Sequence, residues 1–511
     1  MARKVFQALG RIRSLILIVA VSAAAVSGPA LAQKQGGVLK IAVPSVKPGL
    51  DPAFTTTADG YMLTQAIFSN LVRIDENLEV QPQLAKRWEP NENNTVFRFE
   101  LVQGVKFHNG RELTAEDVVF SIKRILDPAT GSQGRKFLGP IKDVKADGKY
   151  AVVVELTQSF ADLPIQLANP FARIIAKENL DKISSAPIGT GPFRLKEYIQ
   201  GSRAVLVRNP DYFERGLPHL NEFHQVYLKE NAAQLAAIKA GQVDVLYQVA
   251  DSLIPLLRNV PDIEVRHAAA PAFQAITFFI DKKPTDDPRV RQALRLAADR
   301  PAMMVASAGA YGTPGNDTPV SPVSRWYEAR LPERKQDINR ARKLLAEAGY
   351  PNGIDLTLYT SSARPGLEEA AVAFRESVKA AGIRINIQSV DIARLYSEIA
   401  RKPRENTLVH LNWLGRPTID ESLTPYYRSG AGFNYSGYSN PRVDELLGKG
   451  QSAKSPAERK AIYDEVQRIL WEDGPDLIAY FRAYVTAVRK NVKNYRLIPV
   501  QYVDLRSVWV E

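Results

Sequence analysis

From Asp355 to Trp413 the chain alternates between a two-residue and a 3.6-residue hydrophobic period, and this run narrows the possible folds most. Asp355 to Thr360 reads as a strand and Leu367 to Ala381 as a helix closed by Gly382. Ile383 to Val390 is an alternating strand, Ile392 to Ala400 a helix and Thr407 to Trp413 a further strand. The order β-α-β-α-β demands a sheet covered by helices, an α/β architecture. Ligands of open α/β sheets sit beyond the carboxyl ends of strands, which marks Trp413-Leu414-Gly415-Arg416-Pro417-Thr418-Ile419-Asp420. An aromatic, a base and an acid leave the strand together there. Spacing alone also allows a core Trp413 with Arg416 and Asp420 as a surface ion pair.

The first half is α+β in pattern. Val38 to Val43 reads as a strand ended by Pro44, Asp59 to Leu71 as a helix, and Thr95 to Leu101 and Lys149 to Leu156 as strands. The turn His108-Asn109-Gly110 precedes Thr114 and Asp117, a capping-box variant that opens the helix Ala115 to Leu126. The cluster from Pro187 to Pro192 punctuates the end of this region, and no fixed-period repeat is found.

The chain has 511 residues, 24% of them charged, and no Cys, so disulfides, thiolate metal sites, a Cys nucleophile and a lipid-bearing N-terminal Cys are excluded. The formal charge of +12 would suit a polyanion-binding protein. Arg3, Lys4, Arg11 and Arg13, however, form the basic start of a secretory signal. The apolar run Leu15 to Val26 follows, and then the small-x-small site Ala30-Leu31-Ala32. That run is too short for the roughly 20 residues that span a bilayer. Cleavage after Ala32 is expected, taking a third of the surplus charge with it. The remaining bases are interspersed with acids (Lys282 and Lys283, then Asp286 and Asp287), which reads as a mixed-charge surface with no nucleic-acid partner. The expectation is an exported chain in the periplasm, not lipid-anchored.

Signatures of catalysis and cofactors are missing. There is no GxSxG elbow, HExxH, EF-hand loop or P-loop. Gly189-Thr190-Gly191 lacks the third Gly and following helix of a dinucleotide site and reads as a tight turn. His219 and His224 have a metal-like separation but no acid cluster beside them. No metal, cofactor or enzymatic activity is expected, and a secreted hydrolase is the remote alternative.

Collinear motifs nevertheless run along the chain. They include Pro82-x-Leu84-Ala85-x-x-Trp88, Gly104 to Ser121 (GVKFHNGRELTAEDVVFS), Gly189-Thr190-Gly191-Pro192-Phe193 and Asn209-Pro210-Asp211-Tyr212-Phe213. Asp287 to Arg300, Leu344 to Pro351 and Tyr438-Ser439-Asn440-Pro441-x-Val443-Asp444 complete the series. Together they resemble the family 5 extracellular solute-binding proteins, the oligopeptide, dipeptide and nickel receptors of ABC importers. The resemblance implies a periplasmic-binding-protein-like fold of class II, cluster C type, with two lobes, a hinge and three domains. The limits implied are a discontinuous first domain (33–76, 186–270 and 479–511), an inserted second (77–185) and a third (271–478). It also implies a monomer that captures a small solute between its lobes and delivers it to an inner-membrane permease with its ATPase. Phe107, Val118, Val119 and Phe120 of the signature are expected in the core.

One position departs from the family pattern. Peptide receptors of this family commonly carry an Asp three residues after the Trp, which holds the peptide ammonium; Arg416 stands there. At about 4 Å and an effective dielectric of ~20 such a contact amounts to roughly 4 kcal/mol before desolvation, and an Arg reverses its sign. A guanidinium fork suits a carboxylate. The expected solute is therefore a peptide-like anion or zwitterion with its carboxylate on Arg416, its apolar part on Trp413, and Asp420 free for an amine or hydroxyl. The competing arrangement pairs Arg416 with Asp420. Tyr61, Phe273, Gln274, Asn434 and Tyr435 are further candidates for the lining. A metal-chelate, opine or sugar-conjugate receptor of the same family is the runner-up.

Overall fold

Two long strands, Ile263–Phe278 and Tyr480–Arg489, hold the architecture together. In the computed structural model, which describes residues 35–44, 49–500 and 502–511, they lie side by side at the centre of a twelve-stranded sheet. On one side follow Thr407–Trp413, Ile354–Thr360 and Ile383–Ser389; on the other, Val245–Leu246, Val38–Val43, Glu222–Tyr227, Arg203–Arg208 and Phe193–Ile199. The two sides belong to different lobes, so these two strands are the crossing between them. Their register slips between Ala269 and Ala272, where Pro271 stands. Proline has no N–H for the ladder and is tolerated inside a sheet only at such a bulge. The expected signal segment lies outside the described residues. No helix among the described residues is long and apolar enough to cross a membrane.

Each lobe buries its own apolar clusters. One in the first lobe joins Leu39, Ile41, Phe68, Phe193, Phe223 and Val488; another gathers Phe97, Phe99, Phe107, Val118, Ile122 and Val154. The latter sits under an antiparallel four-stranded sheet in the order Ala85–Pro90, Val96–Leu101, Ala151–Leu156, Ile141–Ala146. The helix Ala115–Leu126 covers that sheet because Ala115, Val118, Ile122 and Ile125 recur on one face. Its capping box is formed as the sequence suggests, with Thr114 N–H donating to Asp117 at 2.9 Å. At the Asn109-Gly110 turn Gly110 adopts φ 88°, which favours a residue without Cβ. Phe107 and Val118 are buried, whereas Val119 and Phe120 are only half-buried. They lie on the flank of the helix, at the edge of the two clusters.

In the second lobe the β-α-β-α-β run lies close to its predicted limits. The strands are Ile354–Thr360, Ile383–Ser389 and Thr407–Trp413, and the first pairs in parallel with both others. The helix Leu367–Val378 ends in a single tight turn closed by Gly382 at φ 84°. The following helix is α only over Ile392–Arg394 and then widens to a π turn over Leu395–Ile399. The helix expected over 59–71 is shorter, Ala58–Ile67. Tertiary packing ends it: the Ile67 carbonyl accepts from Gly191 N–H at 2.8 Å, and a Cβ on Gly189 would stand 2.1 Å from that oxygen. The Gly189-Thr190-Gly191 turn is the seat of a helix end.

Candidate ligand site between the lobes

The strand Thr407–Trp413 runs antiparallel to the crossing strand, with Trp413 opposite Phe273, and releases the chain toward the other lobe. Gly415 lies tight against the bulge, where a Cβ would sit 3.0 Å from Pro271 Cγ and 3.1 Å from Ala272 N. That close approach fixes the exit of the turn. Thr418 then caps the helix Ile419–Tyr427, its hydroxyl accepting from Glu421 N–H at 3.1 Å. The turn thus places Arg416 between a strand end and a helix start, facing the first lobe.

Arg416 reaches across the seam. Its guanidinium lies 5.4 Å from the centroid of Phe137, which stacks on Phe171 at 5.8 Å, and Phe171 meets Tyr61 edge-on at 6.2 Å. Burial works against the charge, but the Tyr426 and Glu421 oxygens and Tyr61 outweigh it and hold the guanidinium firmly protonated. Behind it Trp413 packs on Tyr426 at 4.6 Å and stacks on Tyr435 at 5.9 Å, with Phe433 edge-on at 6.2 Å. Phe433 and Leu414 stay exposed. Arg416 is in ion-pair contact with no carboxylate among the described residues, Asp420 included.

Asp420 has another employment. Its Oδ1 accepts from the Thr424 hydroxyl at 2.6 Å, the Gln451 amide at 2.9 Å and the Tyr463 hydroxyl at 3.5 Å. Burial pushes its carboxyl up, and those donors pull it back. The expectation that it is available to a solute amine is corrected by this inward orientation. Successive helical residues do not share a face, so Glu421 turns to the cleft instead. There it stands near Arg416, within reach of the Gln166 amide of the first lobe. Burial pushes Glu421 up to about 7, against the pull of Arg416 and Gln166. Sequence reasoning missed it, because Thr418-x-x-Glu421 reads as an ordinary capping box.

Of the other candidates, Tyr61 lines the first-lobe side and Tyr435 backs Trp413, with Arg401 5.2 Å over its ring. Phe273, Gln274 and Asn434 are structural. Phe273 is buried against Phe481 at 5.8 Å. The Gln274 amide donates to the Pro365 carbonyl at 3.0 Å and accepts from Ser307 and Tyr480. Asn434 donates to the Arg428 and Tyr438 carbonyls at 3.0 and 2.7 Å, tying its own loop. His224 pairs with Glu222 at 2.7 Å and His219 contacts Gln35 at 2.9 Å.

The lobes are closed on one another beside this site. Arg459 of the second lobe meets Asp162 of the first through two parallel 2.5 Å bonds, both side chains buried, and its guanidinium lies over Trp326 at 5.2 Å. Ala161 N–H donates to the Gln451 carbonyl at 3.2 Å, and Arg325 reaches Glu79 at 2.8 Å. Between these contacts lies a cavity of about 310 Å³, lined from the first lobe by Leu78, Trp88 and Ile165 and from the second by Trp326, Thr418 and Arg459. Such a volume is at the lower end for a small-molecule site.

The comparisons with known proteins agree with this fold. The family model described as bacterial extracellular solute-binding proteins, family 5 Middle, matches residues 79–434. The glutathione-binding protein GsiB of Escherichia coli (strain K12) is 26% identical over 499 residues, covering 95% of this chain and 96% of GsiB. HbpA2 from Haemophilus parasuis superposes with a TM-score of 0.86 at 24% identity, covering 93% of this chain and 100% of that one. The periplasmic binding protein DppA from Helicobacter pylori, solved in complex with the peptide STSA, gives 0.76 at 23% identity, with 94% and 99% covered.

Proposed function

Because this chain belongs to the bacterial extracellular solute-binding proteins of family 5, we propose that it is the receptor of an ABC importer for a small peptide-like solute carrying a carboxylate. The observation that carries the carboxylate is Arg416, a half-buried guanidinium in the seam that meets aromatic rings and, among the described residues, no ion-pair partner. A charge held in that way is answered when a carboxylate enters its fork. Trp413, Tyr61 and Phe137 supply flat apolar walls for the rest of the solute. The relative GsiB binds glutathione, which bears two carboxylates and an ammonium, and such molecules are the first solutes to test.

The receptor works by closure. Solute settles on the second lobe at Trp413 and Arg416, the crossing strands flex at the bulge around Pro271, and Tyr61 and Phe137 come over it. The closed pair of lobes is the form handed to a permease with its ATPase. Residues 1–32 serve as the export signal that brings the chain to the periplasm, and the receptor acts there as a monomer without catalysis. The three domains keep the limits 33–76, 186–270 and 479–511; 77–185; and 271–478; the apolar clusters follow this division in outline, with Leu71, Val72 and Ile74 packing into the second domain's cluster and Ile175 and Ile183 into the first's.

Calorimetric titration with glutathione and a panel of zwitterionic di- and tripeptides tests the reading. Binding by at least one member is expected, weakened roughly 10- to 100-fold in R416A, the loss of a hydrogen bond to a charged group. Failure of the whole panel to bind, or an R416A affinity equal to wild type, overturns it.

A further inference from the structure

The cavity of about 310 Å³ beside Arg459 has Leu78, Trp88 and Ile165 on its first-lobe side and Trp326 and Pro417 on its second-lobe side. Among the described residues, four charged side chains also line it. They form two ion pairs with one another, both across the seam: Asp162 with Arg459 at 2.5 Å and Glu79 with Arg325 at 2.8 Å. Both guanidiniums also lie over the Trp326 ring, at 5.2 and 4.8 Å. A charged guest would have to compete with pairs already made, whereas an uncharged one leaves them intact. The hydroxyls of Ser324 and Thr418 are engaged too, accepting from the backbone N–H groups of Trp326 and Glu421 at 3.3 and 3.1 Å. What this wall offers a guest is aromatic and aliphatic surface. Leu78 adds an independent sign. It holds φ 62°, and the other four non-glycine residues at positive φ among the described residues are Asn or Asp, which tolerate that region. The Asp75 carboxylate fixes the turn by accepting from Asn77 and Glu79 N–H, each at 2.9 Å. Backbone strain of this kind gathers at ligand clamps, and here it sets an apolar side chain in a cavity wall.

We propose that this cavity is a second binding site, complete only when the lobes meet, for an uncharged aromatic or branched apolar group about the size of an indole. An apolar cavity of roughly 150 Å³ already suffices for benzene. Because both lobes supply the wall, a guest buries its full surface in the closed form alone and shifts the equilibrium toward it. The group belongs either to a separate small molecule or to the far end of the solute, since Pro417 and Thr418 follow Arg416 directly in the chain. The first source is independent of Arg416; the second rests on the reading of the seam as the solute site.

The probes are 5-fluoroindole, followed by fluorine NMR, and pairs of zwitterionic dipeptides that differ by Trp against Gly at one position, followed by calorimetry. Two variants alter the wall. I165W fills the cavity with the protein's own ring, and L78G removes one wall at a backbone angle that glycine adopts freely. Saturable binding of fluoroindole to the wild type, weakened about tenfold or more in I165W and severalfold in L78G, supports the site and assigns it to a separate molecule. A Trp dipeptide that binds at least about tenfold tighter than its Gly counterpart, with that advantage lost in both variants, supports the site and assigns it to the solute's own end. Should I165W fail to fold, L78G decides. The site is overturned if fluoroindole does not bind and Trp carries no advantage, or if both are present and neither variant changes them. If no dipeptide binds while fluoroindole does so and responds to the variants, the solute-site reading at Arg416 falls and the cavity site stands.

Discussion

Two patches of the same seam, both built from lobe-two arginines, differ in how completely the protein satisfies them. At Arg459 the opposite lobe supplies Asp162 in bidentate geometry, and aromatic faces close round the guanidinium. At Arg416 the opposite lobe supplies, among the described residues, Phe137 with Phe171 behind it and the nearby Tyr61, but no carboxylate in ion-pair contact. The difference teaches a division of labour. A complete pair holds the lobes together without help, whereas an incomplete one waits for a partner that arrives with the solute. In a buried setting a paired charge tolerates its loss of hydration and an unpaired one does not, so the second patch favours closure only when filled.

The largest way to break this contrast is R459A. Removing one partner of a buried pair costs about 3–5 kcal/mol, and here the cost falls on the closed form alone, because opening returns Asp162 to water. Small-angle scattering should record a larger radius of gyration without solute, and affinity should fall by more than tenfold. The double variant D162N/R459M, which removes both charges, should recover most of the closure. A compact R459A with wild-type affinity would erase the contrast. Next comes R416E, which puts a carboxylate where the solute's own is expected. It should abolish binding of the carboxylate-bearing probe, while leaving the scattering profile of the solute-free protein near that of wild type.

Smaller effects sharpen the picture. In G415A the new Cβ meets Pro271 and Ala272 at 3.0–3.1 Å, so the turn must shift and carry Arg416 with it. An affinity loss of about 1 kcal/mol is expected from calorimetry, because the Arg416 contact is displaced without being removed. Least of all should be R325Q. Arg325 and Glu79 bridge the lobes at 2.8 Å but both are exposed, and such pairs contribute well under about 1 kcal/mol. Thermal unfolding and affinity should stay at wild-type values, and a large loss there would mean that exposure does not separate the two classes of bridge.

The sequence was legible where local pattern and fold agree. The strands of the second lobe alternate cleanly, Gly382 marks a helix end by its own backbone freedom, and Trp413 could be read as the end of a strand from pattern alone. It was opaque where a distant segment decides. Nothing near Ile67 announces that Gly191 will take its carbonyl and end the helix. Phe273 and Gln274 sit at the crossing, but helices and strands cover them on both faces, and Gln274 spends its amide on Pro365, Ser307 and Tyr480. Asp420 and Glu421 are chemically alike neighbours. Only the positions of Gln451, Tyr463 and Gln166, brought from elsewhere in the chain, decide which of the two turns inward and which faces the cleft.

The most direct test of the account is native mass spectrometry of the protein purified from its natural host, wild type beside R416E, with the released solute identified after denaturation. The account predicts a small peptide-like solute bearing a free carboxylate, retained by the wild type and absent from R416E. A solute without a carboxylate, or one retained equally by R416E, would contradict it.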